Sequence, residues 1–339
     1  MRRVKTYISS NFVKSFLTIF LPFFLIISLV YLVKIAALTS KIQLTFLELL
    51  KLYSYSVPDI MFYTLPLSFI AALANVLVKL SQDNELIALY ALGLNAQKIL
   101  KRLILLGVLF SVLLGSISFL AMPLSKQLYK SFKEEKKAEA KLNIVAGELG
   151  QKFGEYYIYV KEKNDDIFND MVIYNRTDQA NEQFFSAKTG KLNNQPHVTS
   201  LVLNDGYGYT YSDIKLQQAQ YKSLEVFDEV KKIPYKFEDI VAHWGKAATD
   251  RKMMHRVLFF IFVSLIPLLA IYIVASFTMI NPRYQSNHSF LVIFSSALLL
   301  YLTASALEKW GTPLLLIIAI LATAGLGHWL FHKRVSKYF

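Results

Sequence analysis

Six apolar stretches, three before and three after a polar middle segment, constrain this chain more than any other feature. They run near Phe12–Val33, Val57–Val78, Leu103–Met122, Val257–Ile280, Ser289–Leu307 and Pro313–Phe331. A hydrocarbon core about 30 Å thick needs roughly 20 apolar residues per helix, and each stretch approaches that length. A bilayer offers no water to satisfy backbone amides, so each stretch must be helical. The spacing predicts a polytopic membrane protein in three parts: helices one to three in residues 1–124, a soluble insertion in 125–254, and helices four to six in 255–339. A mean hydropathy of +0.38 over the whole chain is too high for an ordinary soluble domain. The first stretch is too long for the apolar region of a signal peptide, and no small-residue cleavage site precedes Lys34.

The absence of cysteine excludes a disulfide scaffold, a Cys-ligated metal site and thiol catalysis. The formal charge of +13 reads, in a membrane chain, as basic ends set against anionic lipid rather than as a nucleic-acid surface. The distribution of Lys and Arg in the short loops sets orientation. Arg2, Arg3, Lys5, Lys79, Lys98, Lys101, Arg102, Arg283, Lys333, Arg334 and Lys337 fall on one side; Lys34, Lys41, Lys51 and Lys309 fall on the other. Both termini are therefore expected in the cytoplasm and the insertion outside. The segment after the third span, with Lys126, Lys130, Lys133, Lys136, Lys137 and Lys141, is unusually basic for the outer side. Long translocated domains obey the charge rule only weakly.

The insertion reads as a basic juxtamembrane helix followed by an all-β domain, a sandwich or jelly roll. Tyr156, Ile158 and Val160 alternate with Tyr157, Tyr159 and Lys161, the period of a strand. Met171–Tyr174, Phe184–Ala187 and Leu224–Phe227 are further strand candidates. Leu201–Leu203 and Tyr207–Tyr211 flank Asn204-Asp205-Gly206, a turn signal. The tyrosines read first as sheet packing and second as a lipid or partner groove.

No P-loop, G-x-S-x-G elbow or H-E-x-x-H motif occurs. His328 and His332 stand four apart at the end of the last span, where interfacial histidine is the ordinary reading. No enzyme activity and no cofactor are expected, and any ATP-driven work needs a separate ATPase.

Between spans two and three lies a short amphipathic run from Asp83 to Gly93. Asp83 can cap a helix, and Glu85 falls in its first turn, where the dipole favours an anion. Leu86, Leu89, Tyr90 and Gly93 share one face, Gly93 suits the stop, and Asn95 can cap the next helix. A helix of this kind can lie on lipid, but lipid-surface helices carry Lys or Arg on the polar face. An acidic helix with an apolar stripe better suits a groove on a cytoplasmic protein.

These features together resemble the LptF/LptG (YjgP/YjgQ) permeases of lipopolysaccharide export. The resemblance rests on Arg3 to Phe16 leading into span one, and on Ser56-Val57-Pro58 and Leu65-Pro66-Leu67 in span two. It also rests on the cytoplasmic run Leu80-Ser81-Gln82-Asp83-Asn84-Glu85-Leu86-Ile87-Ala88-Leu89-Tyr90-Ala91-Leu92-Gly93. In the insertion, Ser186-Ala187-Lys188-Thr189-Gly190 and Leu201-Val202-Leu203-Asn204-Asp205-Gly206 are similar to the family's strand pair.

The resemblance implies six transmembrane helices with an inserted β-jellyroll-like periplasmic domain, in the inner membrane of a Gram-negative bacterium. It implies a permease subunit of an ABC transporter that works with a paralogous permease and a cytoplasmic ATPase dimer. The complex would extract lipopolysaccharide and pass it to a periplasmic jellyroll bridge protein toward the outer membrane. Asp83, Glu85, Leu86, Leu89, Tyr90 and Gly93 would couple to the ATPase. Lys34, Lys41, Lys126, Lys130 and Lys133 would contact lipid phosphates, with snorkelling at the interface as the alternative. Leu201, Leu203, Tyr207 and Tyr209 would line a lipid path in the β domain. Two other readings remain open: a non-transporting membrane scaffold or sensor, and the permease half of a different ABC exporter.

Overall fold

A computed structural model describes residues 2–39, 44–142, 144–153, 156–178, 181–194, 199–212, 215–228, 236–279 and 289–336. Lys41, Arg283 and Lys337 lie outside the described residues. The chain forms two compact units. The first comprises Met1–Ala37, Thr45–Tyr129 and Phe237–Phe339, and the second Leu38–Leu44 and Lys130–Lys236. The helices in chain order are α1 (Arg2–Thr39), α2 (Phe46–Ser54), α3 (Val57–Gln82), α4 (Glu85–Ala91), α5 (Ala96–Ser116), α6 (Met122–Leu142), α7 (Ile240–Gly245), α8 (Arg251–Thr278), α9 (Ser289–Trp310) and α10 (Pro313–Phe331).

Among the described residues six segments are long and apolar enough to cross a membrane, the third being α5 continued through a π-helical turn, Ile117–Ala121, into α6. Two of them form the centre of the first unit. The most apolar windows of α3 and α8 are each 72% buried, against 11% for α1 and 22–28% for the other three. Aromatic rings fill the contacts: Phe62 meets Phe260 at 5.0 Å, Phe12 meets Phe69 at 5.0 Å and Phe16 meets Phe110 at 4.8 Å. Side-chain hydroxyls in the spans bond back to their own helix, as in Thr64 to the Ile60 carbonyl at 2.8 Å and Thr278 to the Val274 carbonyl at 2.8 Å. That arrangement satisfies polar groups where no water reaches.

Charged residues bracket the apolar lengths. Lys14 and Lys34 on α1, and Asp59 and Lys79 on α3, are each 20 residues apart. At 1.5 Å per helical residue that separation is about 30 Å, the thickness of the hydrocarbon core.

Pro123 has no amide hydrogen to donate to the Phe119 carbonyl one turn back. Trp244 Nε1 on α7 donates to that carbonyl instead, at 2.9 Å. Gln127 on α6 binds the same returning segment twice. Its Nε2 donates to the Glu238 carbonyl at 3.1 Å, and its Oε1 accepts from the Glu238 amide at 2.8 Å. The segment re-entering the first unit is thus fastened to the far end of the third span.

The second unit contains one antiparallel sheet of six strands in sequence order: β1 (Gln151–Phe153), β2 (Tyr156–Asn164), β3 (Ile167–Asp178), β4 (Asn181–Asn194), β5 (Thr199–Ser212) and β6 (Lys215–Asp228). The expected all-β insertion is present, as an open meander with no Greek-key crossover among the described strands. One expectation is overturned. Asn204-Asp205-Gly206 makes no hairpin turn; β5 runs straight through it, paired with β4 and β6 on both sides.

The signal was nevertheless physical. Asp205 has φ of 53° and Asp170 of β3 has φ of 49°, the left-handed region that Asp tolerates better than most residues. Lys161, Asp170, Lys188, Asp205 and Lys222 occupy one register row across five strands. Along this row the alternation of faces slips by one residue. Buried Met171 is followed inward by Phe168, Ala187 by Gly190, and Leu203 by Gly206, each three positions away rather than two. The sheet is therefore creased along a line whose outer side carries alternating charge; Lys161 and Asp170 pair across it at 3.4 Å. On the inner side, Ile158, Val160, Phe168, Met171, Ile173, Leu201 and Leu203 form the apolar core with Ile144. Gly206 has to be glycine, because a Cβ there would strike the Ser186 carbonyl and the Tyr221 hydroxyl. Those two groups hydrogen-bond to each other at 2.7 Å, Tyr221 donating.

Asp205→Val puts a β-branched residue at positive φ and should destabilise the sheet by about 1–3 kcal/mol, whereas Asp205→Gly should keep it near the parent. Hydrogen exchange of the β4–β6 amides reads this directly. Equal protection in the two variants would show that the left-handed conformation is not required.

Candidate functional site

The run between α3 and α5 is built by local rules. Asp83 closes α3 as its C-cap, and Asn84, with φ of 58°, starts α4; the expected cap at Asp83 therefore moves one residue on. Glu85 opens α4, as expected. The stop is a Schellman motif: the Gly93 amide donates to the Tyr90 carbonyl at 2.9 Å and the Leu94 amide to the Leu89 carbonyl at 3.1 Å. Gly93 has φ of +76°, which few other residues adopt without strain. Asn95 is the N-cap of α5, with its carbonyl accepting from the Lys98 and Ile99 amides.

The faces of α4 fall differently from the sequence reading. Leu86 is only 3% exposed, and Leu89 and Tyr90 pack against the same core as α3 and α8. Burial pushes the Tyr90 phenol pKa up. The predicted stripe of Leu86, Leu89 and Tyr90 thus anchors α4 to its own bundle. The outward face carries Ile87, Ala88, Ala91 and Leu92, with Leu92 75% exposed.

Glu85 is half-buried and already engaged. Tyr7 of α1 donates its hydroxyl to both carboxylate oxygens, at 2.8 and 3.0 Å. The contact borders a polar cleft of about 200 Å³ that also includes Lys14, Asn75 and Lys79. Tyr7 lies 78 residues from Glu85, and no spacing in the sequence joins them.

Of the five expected phosphate contacts, Lys34 and Lys126 belong to the first unit. Lys34 is exposed and its Nζ stands 4.9 Å over the Tyr31 ring. Lys126 pairs with Asp59 at 3.5 Å and stands 6.0 Å from the Phe260 ring centre. Asp59, the partner of Lys126, is a carboxylate that sequence reading passed over. The available signal was its place, an acid in the first turn of an apolar helix. Lys130 is exposed and Lys133 half-buried; both belong to the second unit.

In the β unit, Leu201 and Leu203 are fully buried on the inner side of the sheet. Tyr207 and Tyr209 lie past the crease and project to the other face. They share it with Tyr157, Tyr174 and Phe184, which sit at opposed register positions; Tyr174 and Phe184 are 4.6 Å apart. The four expected lipid-path residues therefore do not line one path.

The family described as lipopolysaccharide export system permease LptF/LptG matches residues 6–333. A search of curated proteins finds no match.

The two faces of α4 should respond differently to truncation. Leu86→Ala should destabilise the detergent-solubilised protein by about 2–5 kcal/mol, the usual cost of emptying a core leucine site. Leu92→Ala should stay within roughly 0.5 kcal/mol, as an exposed substitution does. Thermal unfolding of both variants checks the assignment; comparable losses would place Leu92 inside.

Proposed function

Since the chain belongs to the lipopolysaccharide export system permease family LptF/LptG, we propose that it is one permease half of an ABC transporter that lifts lipopolysaccharide out of the inner membrane. The observation that carries this reading is the extent of the match, which runs through all six membrane-capable helices, α4 and the sheet. A second, paralogous permease completes the membrane part. A separate cytoplasmic ATPase dimer drives it. The β domain passes the lipid to a periplasmic jellyroll bridge protein.

The division of labour follows from chemistry. A lipid with several acyl chains loses about 0.8 kcal/mol for each CH₂ taken into water, so its route must stay apolar. The inner side of the sheet, where Leu201 and Leu203 are buried, is the part of the β domain with that apolar character. Lipid phosphates need cations where the route begins. Lys34, Lys130 and Lys133 serve in that role directly, and Lys126 serves by exchanging Asp59 for phosphate. In this orientation the loop bearing α4 and both termini face the cytoplasm.

Coupling to the ATPase falls to the outward face of α4. Ile87 and Leu92 enter a groove on the ATPase, while Leu86, Leu89 and Tyr90 transmit the push to α3 and α8. Glu85 meets a basic group of the ATPase and shares or surrenders its bond from Tyr7.

Three measurements test this reading. A cysteine replacing Asn95 should resist a membrane-impermeant thiol reagent in intact spheroplasts while one replacing Asp166 reacts; labelling at Asn95 would reverse the topology. Leu92→Asp should reduce ATPase co-purification at least as much as Glu85→Lys, and each by roughly tenfold or more if the contact is buried. Parent-like assembly of both variants would remove α4 from the interface. Lys34→Glu with Lys130→Glu should impair lipopolysaccharide delivery to the outer membrane while the Arg pair is mild; equal tolerance would leave these lysines as interfacial anchors.

A further inference from the structure

The first turns of α1 and α5 border a second cavity of about 490 Å³. Its walls are apolar, formed by Val4, Ile8, Leu94, Ile99 and Leu105. Its rim is basic, formed by Lys98, Lys101 and Arg102, and no carboxylate lines it among the described residues. We propose that this groove binds one anionic glycerophospholipid, with the phosphate on the three cations and the acyl chains along Ile8, Ile99 and Leu105.

Four observations support the assignment. First, Lys98, Lys101 and Arg102 stand at i, i+3 and i+4, and Leu105 continues the same helix face one turn deeper. The face thus passes from cationic to apolar at the point where the apolar run of the third span begins, which is the profile of a lipid from head group to tail. Second, like charges at this spacing repel one another, and no acid among the described residues of the cavity wall compensates them. An anion in the groove relieves that repulsion. Third, Arg102 is held: its Nε donates to Ser9 Oγ at 3.0 Å. This fixes the guanidinium plane while its terminal NH₂ groups remain able to grip a phosphate in fork geometry. Fourth, the volume lies within the range of ordinary small-ligand sites. The polar cleft farther along α1 fits an anion less well, because Glu85 lines it.

The position has a consequence for α4. Leu94 lines the groove and also closes the Schellman motif that ends α4, through its amide bond to the Leu89 carbonyl. A lipid packed on Leu94 therefore bears on the hinge between α4 and α5. The leaflet, but not the binding, rests on the orientation given in the proposed function; on that orientation the lipid comes from the cytoplasmic leaflet.

The full chain, purified in detergent, can be titrated with phosphatidylglycerol and with phosphatidylcholine of the same chains, and retained lipid counted by native mass spectrometry. The expected result is one retained phosphatidylglycerol and far weaker retention of phosphatidylcholine. Lys98→Gln with Lys101→Gln should weaken phosphatidylglycerol by about 10- to 30-fold, on the scale of one surface cation per tenfold or less. Lys98→Arg with Lys101→Arg should retain it, and Leu105→Trp should exclude the chains. The matched control, Lys79→Gln with Lys333→Gln, removes the same charge elsewhere and should change little. Equal loss in the control would mean a non-specific lipid annulus and would overturn the proposal. So would displacement by glycerol 3-phosphate at similar concentration, which would mark a site for the phosphate alone. Groove variants that keep phosphatidylglycerol but lose the ATPase would reassign the surface to protein contact, again against the proposal. Labelling of a cysteine at Asn95 from outside would change the leaflet and the functional reading while leaving this binding result intact.

Discussion

The packing of α3 against α8 is the contact on which the membrane unit depends. In lipid, helices gain little from the hydrophobic effect, because acyl chains are as apolar as leucine. What holds them is close van der Waals fit and the satisfaction of the few polar groups. α3 and α8 supply both, with interlocked rings at Phe62, Phe259 and Phe260 and with hydroxyls bonded back to their own carbonyls. The remaining spans attach to this pair by one side and leave the other side apolar and uncovered. α1 is the extreme case, with Leu25, Ile26, Leu29 and Val33 more than 60% exposed. Such a surface is stable only against lipid or another apolar protein face.

α4 shows how a small element inherits rigidity from that pair. Seven residues cannot hold a helix alone. Leu86 fixes one end in the core, the Schellman motif fixes the other, and Tyr7 holds the Glu85 carboxylate from α1. A load applied to the exposed Ile87 and Leu92 is therefore carried into α1 and α3 rather than dissipated by unwinding.

Much of this architecture was legible in the sequence because membrane helices obey a single length rule and strands a single period. The spans, the short helix before Gly93 and the strands at Tyr156–Val160 and Met171–Tyr174 all follow from those periodicities. Two of the readings that missed did so because the sequence shows a pattern but not its partner. The stripe of Leu86, Leu89 and Tyr90 is amphipathic whichever body it faces, and the structure turns it inward. Asn204-Asp205-Gly206 carries the chemistry of positive φ, which serves equally for a hairpin turn and for a kink within a strand. Only the pairing of β5 with both neighbours distinguishes them. The Tyr7–Glu85 bond and the place of Asp59 beside Lys126 are tertiary facts without local signature.

The crease carries a constraint on how this domain can vary. Five strands change face at the same row, so the inner surface on either side of it is in phase only while every strand keeps its count. An insertion or deletion of one residue inside any strand would turn half of that strand's core side chains outward while its neighbours stayed in place. Length changes are therefore confined to the hairpin tips, such as Asp165-Asp166 between β2 and β3. Gly206 apart, the interior of the sheet can drift in side-chain identity but not in length, and its inner face keeps its shape through a shared count.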